Sequence, residues 1–287
     1  MSCLLAALDL ARFVIELPIR WRILGVKREL PVHTRIGYGV MLNAITDMWL
    51  RISGVDGKDL DPNALAIVKH FIGYMNTIDD RLDGPKKEVT ILRFSKGDEL
   101  WERRKQLFSA IGQYDIPLQK KLKRTVSGST YRMLRATAKL RDRGVSGFDE
   151  ALAVRECTAG ELARVTAELF NVAHGIPLGK AKVIEQVYAS VGMIMQVYDD
   201  VGDVRKDSEE GTSENLILQM LNERPEEKAR LAKALVNKKK CTYDTLTRHA
   251  PETARIAMDL QNRYMATIPE TDGFERIKRL VTIAASL

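Results

Sequence analysis

Two clusters of aspartates in this 287-residue sequence have the spacing of a divalent-cation site. The seven residues are Asp79, Asp80, Asp83, Asp199, Asp200, Asp203 and Asp207. Residues four positions apart lie on one face of an α-helix, so each cluster forms a line of carboxylates that repel one another. Mg²⁺ binds carboxylate and phosphate oxygens and would remove that repulsion. We therefore predict all seven aspartates as metal ligands.

The position of the first cluster is unfavourable without a cation. Apolar residues with helical spacing precede it, and Gly84-Pro85 ends the helix directly afterwards. Carboxylates in a last helical turn cost roughly 0.3–1 kcal/mol each, and like charges four apart add roughly 0.2–0.5 kcal/mol. The alternative is that both clusters are solvent-facing acidic patches, with Arg81, Arg205 and Lys206 as local partners.

Helical periodicity dominates the elements that must position these clusters, and alternating strand patterns are almost absent. Gly, Pro and Asp mark the breaks between helices. The expected helices span about 32–52, 63–82, 97–111, 117–141, 148–173, 179–206, 213–221, 225–236, 241–248, 252–267 and 272–285. No linker divides the chain, so we predict an all-α, single-domain helical bundle over residues 1–287.

Composition narrows the class of partner and the compartment. Lys and Arg number 45 against 38 Asp and Glu, but the basic residues are scattered, and nucleic acid is not expected as a partner. Three separated cysteines indicate a reducing, cytoplasmic location. Charges interrupt the apolar N-terminus, and we find no run long enough to be a transmembrane segment.

These motifs resemble the class I isoprenoid synthase superfamily, which contains trans-prenyl diphosphate synthases and class I terpene cyclases. The resemblance covers residues from about 32 to the C-terminus. It implies a helical bundle around a deep apolar pocket, with the aspartate motifs facing each other across its mouth. It also implies an isoprenoid diphosphate substrate, about three Mg²⁺ ions per site, and a homodimer.

Several features resemble bacterial terpene cyclases in particular. The aspartates match the DDxx(D/E) and NDxxSxxxE motifs by spacing, although the second has Asp at the Asn, Ser and Glu positions. Gly211 and the segment Asn215-Leu216-Ile217 resemble the downstream G…NLV segment. AVRECTAGELARV resembles RRxTxG, which makes Arg155 the diphosphate-sensing arginine and puts Thr158 and Gly160 at a helix break. The catalytic residues implied are Asp79, Asp83, Arg155 and Asp199, and the diphosphate ligands implied are Arg155, Arg205 and Lys206.

Other features resemble the chain-elongating prenyl synthases. Gln196 and the aspartates after it match QxxDDxxDxxxD, and residues 25–31 resemble GKRxRP. However, only Lys86-Lys87 replaces the RRG of that family, and Cys157 stands where its KTxxLF lysine would fall. We therefore expect a cyclase acting on farnesyl or geranylgeranyl diphosphate. A prenyl diphosphate synthase and a non-catalytic partner subunit are the alternatives.

Overall fold

The computed structural model describes residue 42 and residues 45–83, 97–238 and 240–269. They belong to two compact units, one of which spans residues 61–269. The described part of the other unit is residue 42 with residues 45–60, where residues 45–53 are helical and a 3₁₀ turn covers Gly57–Asp59. That the whole chain forms a single domain stays a prediction.

Residues 61–269 contain eleven α-helices in the described ranges. They are α1 (Pro62–Asp83), α2 (Glu99–Ile111), α3 (Ile116–Arg143), α4 (Phe148–Arg155), α5 (Glu161–Ala173), α6 (Leu178–Gly202), α7 (Val204–Glu210), α8 (Leu216–Asn222), α9 (Pro225–Leu235), α10 (Tyr243–His249) and α11 (Pro251–Ala266). A π-helical turn, Glu156–Gly160, joins α4 to α5. Every regular element described is helical, which confirms the predicted all-α class.

Most expected helices match these within a few residues. The expected helix 148–173 is interrupted by the π turn, and the expected helix 179–206 is divided at Asp203. The expected helices at 32–52 and 272–285 lie partly or wholly outside the described residues, as do Gly84-Pro85, Lys86-Lys87 and the segment 25–31. No helix in the described ranges is long and apolar enough to cross a bilayer.

Helix α5 is the central element of the unit, because it packs against α1, α3 and α6. Seven of its thirteen residues are buried, including Phe170, which is fully buried. Phe71 of α1, Leu122 of α3 and Tyr188 of α6 are also buried. Burying each such side chain contributes about 1.5–3 kcal/mol, so the apolar faces of these helices determine the packing.

Polar contacts at both ends of α5 define the direction of its neighbours. At its C-terminal end, His174 Nε2 accepts the Asp61 N–H just before α1 at 3.0 Å, and Asn171 Nδ2 donates to the Ala181 carbonyl near the start of α6 at 3.2 Å. At the other end, Gly160 lies against the Met193 side chain in the second half of α6. Helices α1 and α6 therefore run parallel to each other and antiparallel to α5.

Candidate active site

The helix directions bring the C-terminal ends of α1 and α6 to the same end of the unit, beside the N-terminus of α5. Asp79 follows Asp61 by 18 residues, and Asp199 follows Ala181 by 18 residues. At 1.5 Å per residue, each aspartate lies about 27 Å along its helix from an anchor on α5. The structure thus places the starts of both predicted motifs at one end and at a similar height.

The first motif is described by its backbone and by one side chain. The helix continues through Asp79 and Asp80 to Asp83, as the spacing predicts, and Asp79 is exposed. The side chains of Asp80 and Asp83 lie outside the described residues. Their roles as ligands stay predictions.

The second motif crosses the joint between α6 and α7. The Asp203 N–H donates to the Asp199 carbonyl and the Asp207 N–H to the Asp203 carbonyl, both at 2.8 Å. These bonds keep the helical path through the joint, so the three carboxylates stay in line. Burial and the neighbouring Asp203 raise the pKa of Asp199, while cations including Arg155 lower it. This crowding of negative charge is a setting in which a bound cation is stabilising.

Asp200 faces inward, and its side chain is only 1% exposed. Its Oδ1 accepts from Arg155 Nη2 at 2.8 Å and from Gln196 Nε2 at 2.7 Å, and its Oδ2 accepts from the Leu216 N–H at 2.8 Å. Burial raises its pKa to about 6, and Arg155 opposes that shift. With both oxygens bonded inside the protein, this placement argues against the predicted metal-ligand role. Asp200 instead orients Arg155 and joins α6 to α8.

Asp207 is held by Asn215, a fully buried residue of the downstream segment. Asn215 Nδ2 donates to Asp207 Oδ2 at 2.7 Å and to the Asp200 carbonyl at 2.9 Å, while its Oδ1 caps α8 by accepting the Leu218 N–H. Gly211, at φ +70°, closes α7 in a left-handed conformation that favours glycine. The Gly211 and Asn215 pattern in the sequence therefore has a structural cause: it folds the chain back onto the second motif.

Arg155 is the basic residue that the structure places best for an anion. It ends α4, and its side chain is 17% exposed. While Nη2 binds Asp200, its buried Nε has no hydrogen-bond partner among the described residues. A buried donor left unsatisfied costs about 1–3 kcal/mol, and a diphosphate oxygen would satisfy it. The sensing role predicted for Arg155 fits this geometry.

The π turn after Arg155 is the helix break expected at Thr158 and Gly160. Within this turn, Thr158 Oγ1 donates to the Val154 carbonyl at 3.0 Å. Tyr264 Oη donates to Glu156 Oε1 at 2.7 Å, so α11 reaches the start of this turn. The sequence carries no signal for the pairing of Glu156 with Tyr264, because the two residues are 108 positions apart.

The structure corrects the diphosphate-binding role predicted for Arg205. Its Nη1 donates to the carbonyls of Leu235, Val236 and Lys238, and its Nε donates to Glu209. The guanidinium therefore binds the carbonyls at the C-terminus of α9 and just beyond it. Burial raises the pKa of Asp199 and Asp207, and the charge of the exposed Lys206 partly opposes that rise, so Lys206 stays within reach of the second motif.

Metal binding is not established by the described side chains. Among them, no three His, Cys, Asp or Glu residues are arranged to hold an ion. Two clefts of about 360 and 480 Å³ have none of the seven aspartates in their lining. One is lined by α7, α8 and α9, and the other by residues such as Phe148, Met220 and Arg224. The Mg²⁺ site and the deep apolar pocket stay predictions.

Comparison with known proteins identifies the class of fold. No protein-family model matches the sequence, and no curated protein is significantly similar to it. The solved structures that are similar share the all-α isoprenoid synthase fold, and this chain has that fold.

Three of these structures are synthetases by name. The chain is 12% identical to geranylgeranyl pyrophosphate synthetase from Pyrococcus horikoshii Ot3, with a TM-score of 0.57 over 97% of this chain and 96% of that one. Geranylgeranyl pyrophosphate synthetase from the archaeon Geoglobus acetivorans is 14% identical, with a TM-score of 0.54 over 96% and 97%. Polyprenyl synthetase from Streptomyces coelicolor A3(2) is 14% identical, with a TM-score of 0.53 over 85% and 84%.

Proposed function

We propose that this chain is a Mg²⁺-dependent prenyl diphosphate synthase that joins an allylic isoprenoid diphosphate to isopentenyl diphosphate. The observation that carries the proposal is the position of both aspartate motifs at one end of the unit, with Arg155 beside the second motif. Among the described residues, Arg155 Nε has no hydrogen-bond partner. The elongating branch is preferred to the cyclase because the similar solved structures are named as geranylgeranyl and polyprenyl synthetases.

The residues present fit a metal-bound diphosphate. The carboxylates that would hold Mg²⁺ come from both motifs and are Asp79, Asp80, Asp83, Asp199, Asp203 and Asp207. When bound, Mg²⁺ would neutralise the charge that develops as diphosphate leaves. Asp200 would keep Arg155 oriented while Arg155 Nε donates to a diphosphate oxygen. This is a charge-assisted bond, roughly twice as strong as a neutral one.

The proposed reaction requires isopentenyl diphosphate to bind beside the allylic diphosphate. The allylic C–O bond breaks and the electron pair leaves with diphosphate. The double bond of isopentenyl diphosphate forms the new C–C bond, and a proton is lost from the added unit. Water must be excluded while the cation exists.

A terpene cyclase is the second candidate, and a specific observation favours it. An elongating enzyme must hold a second diphosphate, and Cys157, which replaces the expected lysine, is exposed in the π turn and carries no positive charge. A cyclase needs to hold only one diphosphate, so the loss of this cation would not matter to it.

The test is to incubate purified protein with Mg²⁺ and geranyl, farnesyl or geranylgeranyl diphosphate, each with and without isopentenyl diphosphate. Longer diphosphates formed only with isopentenyl diphosphate are the expected result. A cyclic hydrocarbon or alcohol formed without it would establish the cyclase instead. Asp199→Asn should abolish either product, and Asp259→Asn, an exposed aspartate on α11, is the matched control that should not.

A non-catalytic subunit is distinguished by binding. Mg²⁺ with an isoprenoid diphosphate should raise the melting temperature of the wild type by mass action. If the protein forms no product and shows no thermal shift, both enzyme proposals are refuted.

A further inference from the structure

The turn that follows α9 is fixed to the second aspartate motif at two points. We call this segment the lysine turn, and its described residues are Val236, Asn237, Lys238 and Lys240. Arg205 Nη1 donates to the carbonyls of Val236 at 3.1 Å and Lys238 at 2.9 Å. The last carbonyls of a helix lack partners within the helix, so a guanidinium here both satisfies them and fixes where the chain goes next.

The second attachment lies just beyond the turn. The Cys241 N–H donates to the carbonyl of Gly202, the last residue of α6, at 3.2 Å, and Cys241 is 4% exposed. Gly202 and Arg205 both belong to the segment that carries Asp199 and Asp203. The lysine turn is therefore attached to the motif on both sides.

The two described lysines of the turn have different environments. Lys238 Nζ donates to Thr245 Oγ1 of α10 at 3.4 Å, so this side chain is directed to the body of the unit. Lys240 is exposed and adjoins the Cys241 attachment at Gly202. Lys240 therefore lies next to the segment that carries Asp199 and Asp203.

Two of the cations expected at the site are not available to a diphosphate. Cys157 stands where a lysine is expected, and Arg205 is used on α9 carbonyls. The lysine turn provides a cation at the motif from a distant part of the sequence.

We infer that Lys240 binds a phosphate oxygen of the diphosphate held beside Asp199, and that Arg205 is a positioning residue that holds the lysine turn in place. This inference rests on the proposed function only in requiring a bound diphosphate. An elongating enzyme and a cyclase would use the contact alike.

The experiment measures binding of inorganic diphosphate with Mg²⁺ by isothermal titration calorimetry, at a temperature where every variant is folded. Lys240→Gln should weaken binding about tenfold, as expected for the loss of one charge-assisted contact. Lys233→Gln removes another exposed lysine, on α9, and should bind as the wild type does.

A double variant separates positioning from direct contact. Arg205→Gln should also weaken binding, although Arg205 does not touch the ligand. If it acts only through the lysine turn, Arg205→Gln/Lys240→Gln should bind no more weakly than the weaker single variant, since effects carried by one contact are not additive. A fully additive loss would overturn the positioning role. Should Arg205→Gln fail to fold, Lys240→Gln alone decides the contact.

The outcomes distinguish this inference from the proposed function. Unchanged binding in Lys240→Gln, with the wild type binding normally, would overturn the inference and leave the proposed function standing. A wild type that binds neither Mg²⁺ with inorganic diphosphate nor an isoprenoid diphosphate would overturn both.

Discussion

Replacing Asn215 with alanine should destabilise the fold far more than the loss of an ordinary helix cap. Asn215 is fully buried and makes three side-chain hydrogen bonds, to the Leu218 N–H, the Asp200 carbonyl and the Asp207 carboxylate. The cap is worth about 1 kcal/mol. The bond to the carbonyl is worth about 1 kcal/mol and the bond to the carboxylate about 1.5–3 kcal/mol. Asn215→Ala should therefore cost roughly 4 kcal/mol.

A second cap in the same unit provides the control. Thr242 caps α10 by accepting the Thr245 N–H, without a bond to the aspartate motif. Thr242→Ala should cost about 1 kcal/mol. The assay is urea unfolding at pH 7 with a metal chelator present, which keeps bound cations from contributing. A loss in Asn215→Ala within about 1 kcal/mol of that in Thr242→Ala would refute the reasoning.

A second substitution keeps this prediction decisive if Asn215→Ala does not fold. Asn215→Asp retains an acceptor for the cap but replaces the amide donor with a carboxylate facing Asp207. Like charges at this distance repel, so Asn215→Asp should lose stability at pH 7 although its cap is intact. Wild-type stability in this variant would show that the Asp207 contact contributes nothing.

Three other positions test packing, the response to pH and the metal assignment. In Gly192→Ala the new Cβ would lie 2.7 Å from the Ala163 Cβ, so urea unfolding should show a loss of about 1–3 kcal/mol, and unchanged stability would contradict the close packing. Burial raises the pKa of Glu227, but three hydrogen bonds from the start of α11 outweigh it, and the net pKa lies below the usual 4.5. The stability that a depressed pKa contributes is present above pH 4.5 and is lost as the pH falls through the pKa of the folded state. Glu227→Gln should therefore lose less stability between pH 7 and pH 3 than the wild type, and equal losses would refute this. Because burial and Asp203 raise the pKa of Asp199, Asp199→Asn should leave the free energy of unfolding in chelator unchanged or slightly higher. The same variant should lose the rise in melting temperature that Mg²⁺ with diphosphate causes. A retained rise would exclude Asp199 as a ligand.

The fold was predictable because helix formation follows local periodicity. The apolar spacing around Phe71 and Met75 repeats along α1, and the Pro and Gly positions mark most helix ends. The π turn at Thr158 and Gly160 was expected only through the resemblance, since no local pattern distinguishes a π turn from ordinary helix. The choice between a cyclase and an elongating enzyme was less predictable, because the sequence matches the motifs of both only in part.

The candidate site was predicted in type but not in the role of each residue. The four-residue spacing does place Asp199, Asp203 and Asp207 along one helical path. Asp200 lies next to Asp199 in sequence, but it points inward and binds Arg155. Successive helical residues differ by about 100° in direction, so a run of two aspartates necessarily serves two environments.

The sequence by itself determined the helices, the lines of carboxylates and the chemistry that those carboxylates suit, because these depend on residue type and on spacing within one turn. Only the tertiary structure decided which groups each basic residue binds. Arg155 meets Asp200, 45 positions away, and Arg205 meets the end of α9, 30 positions away. The lysine turn reaches the motif through the Arg205 guanidinium and through one backbone bond at Gly202. Such contacts follow from how whole helices pack, and packing is determined by buried faces across the entire unit rather than by any short motif.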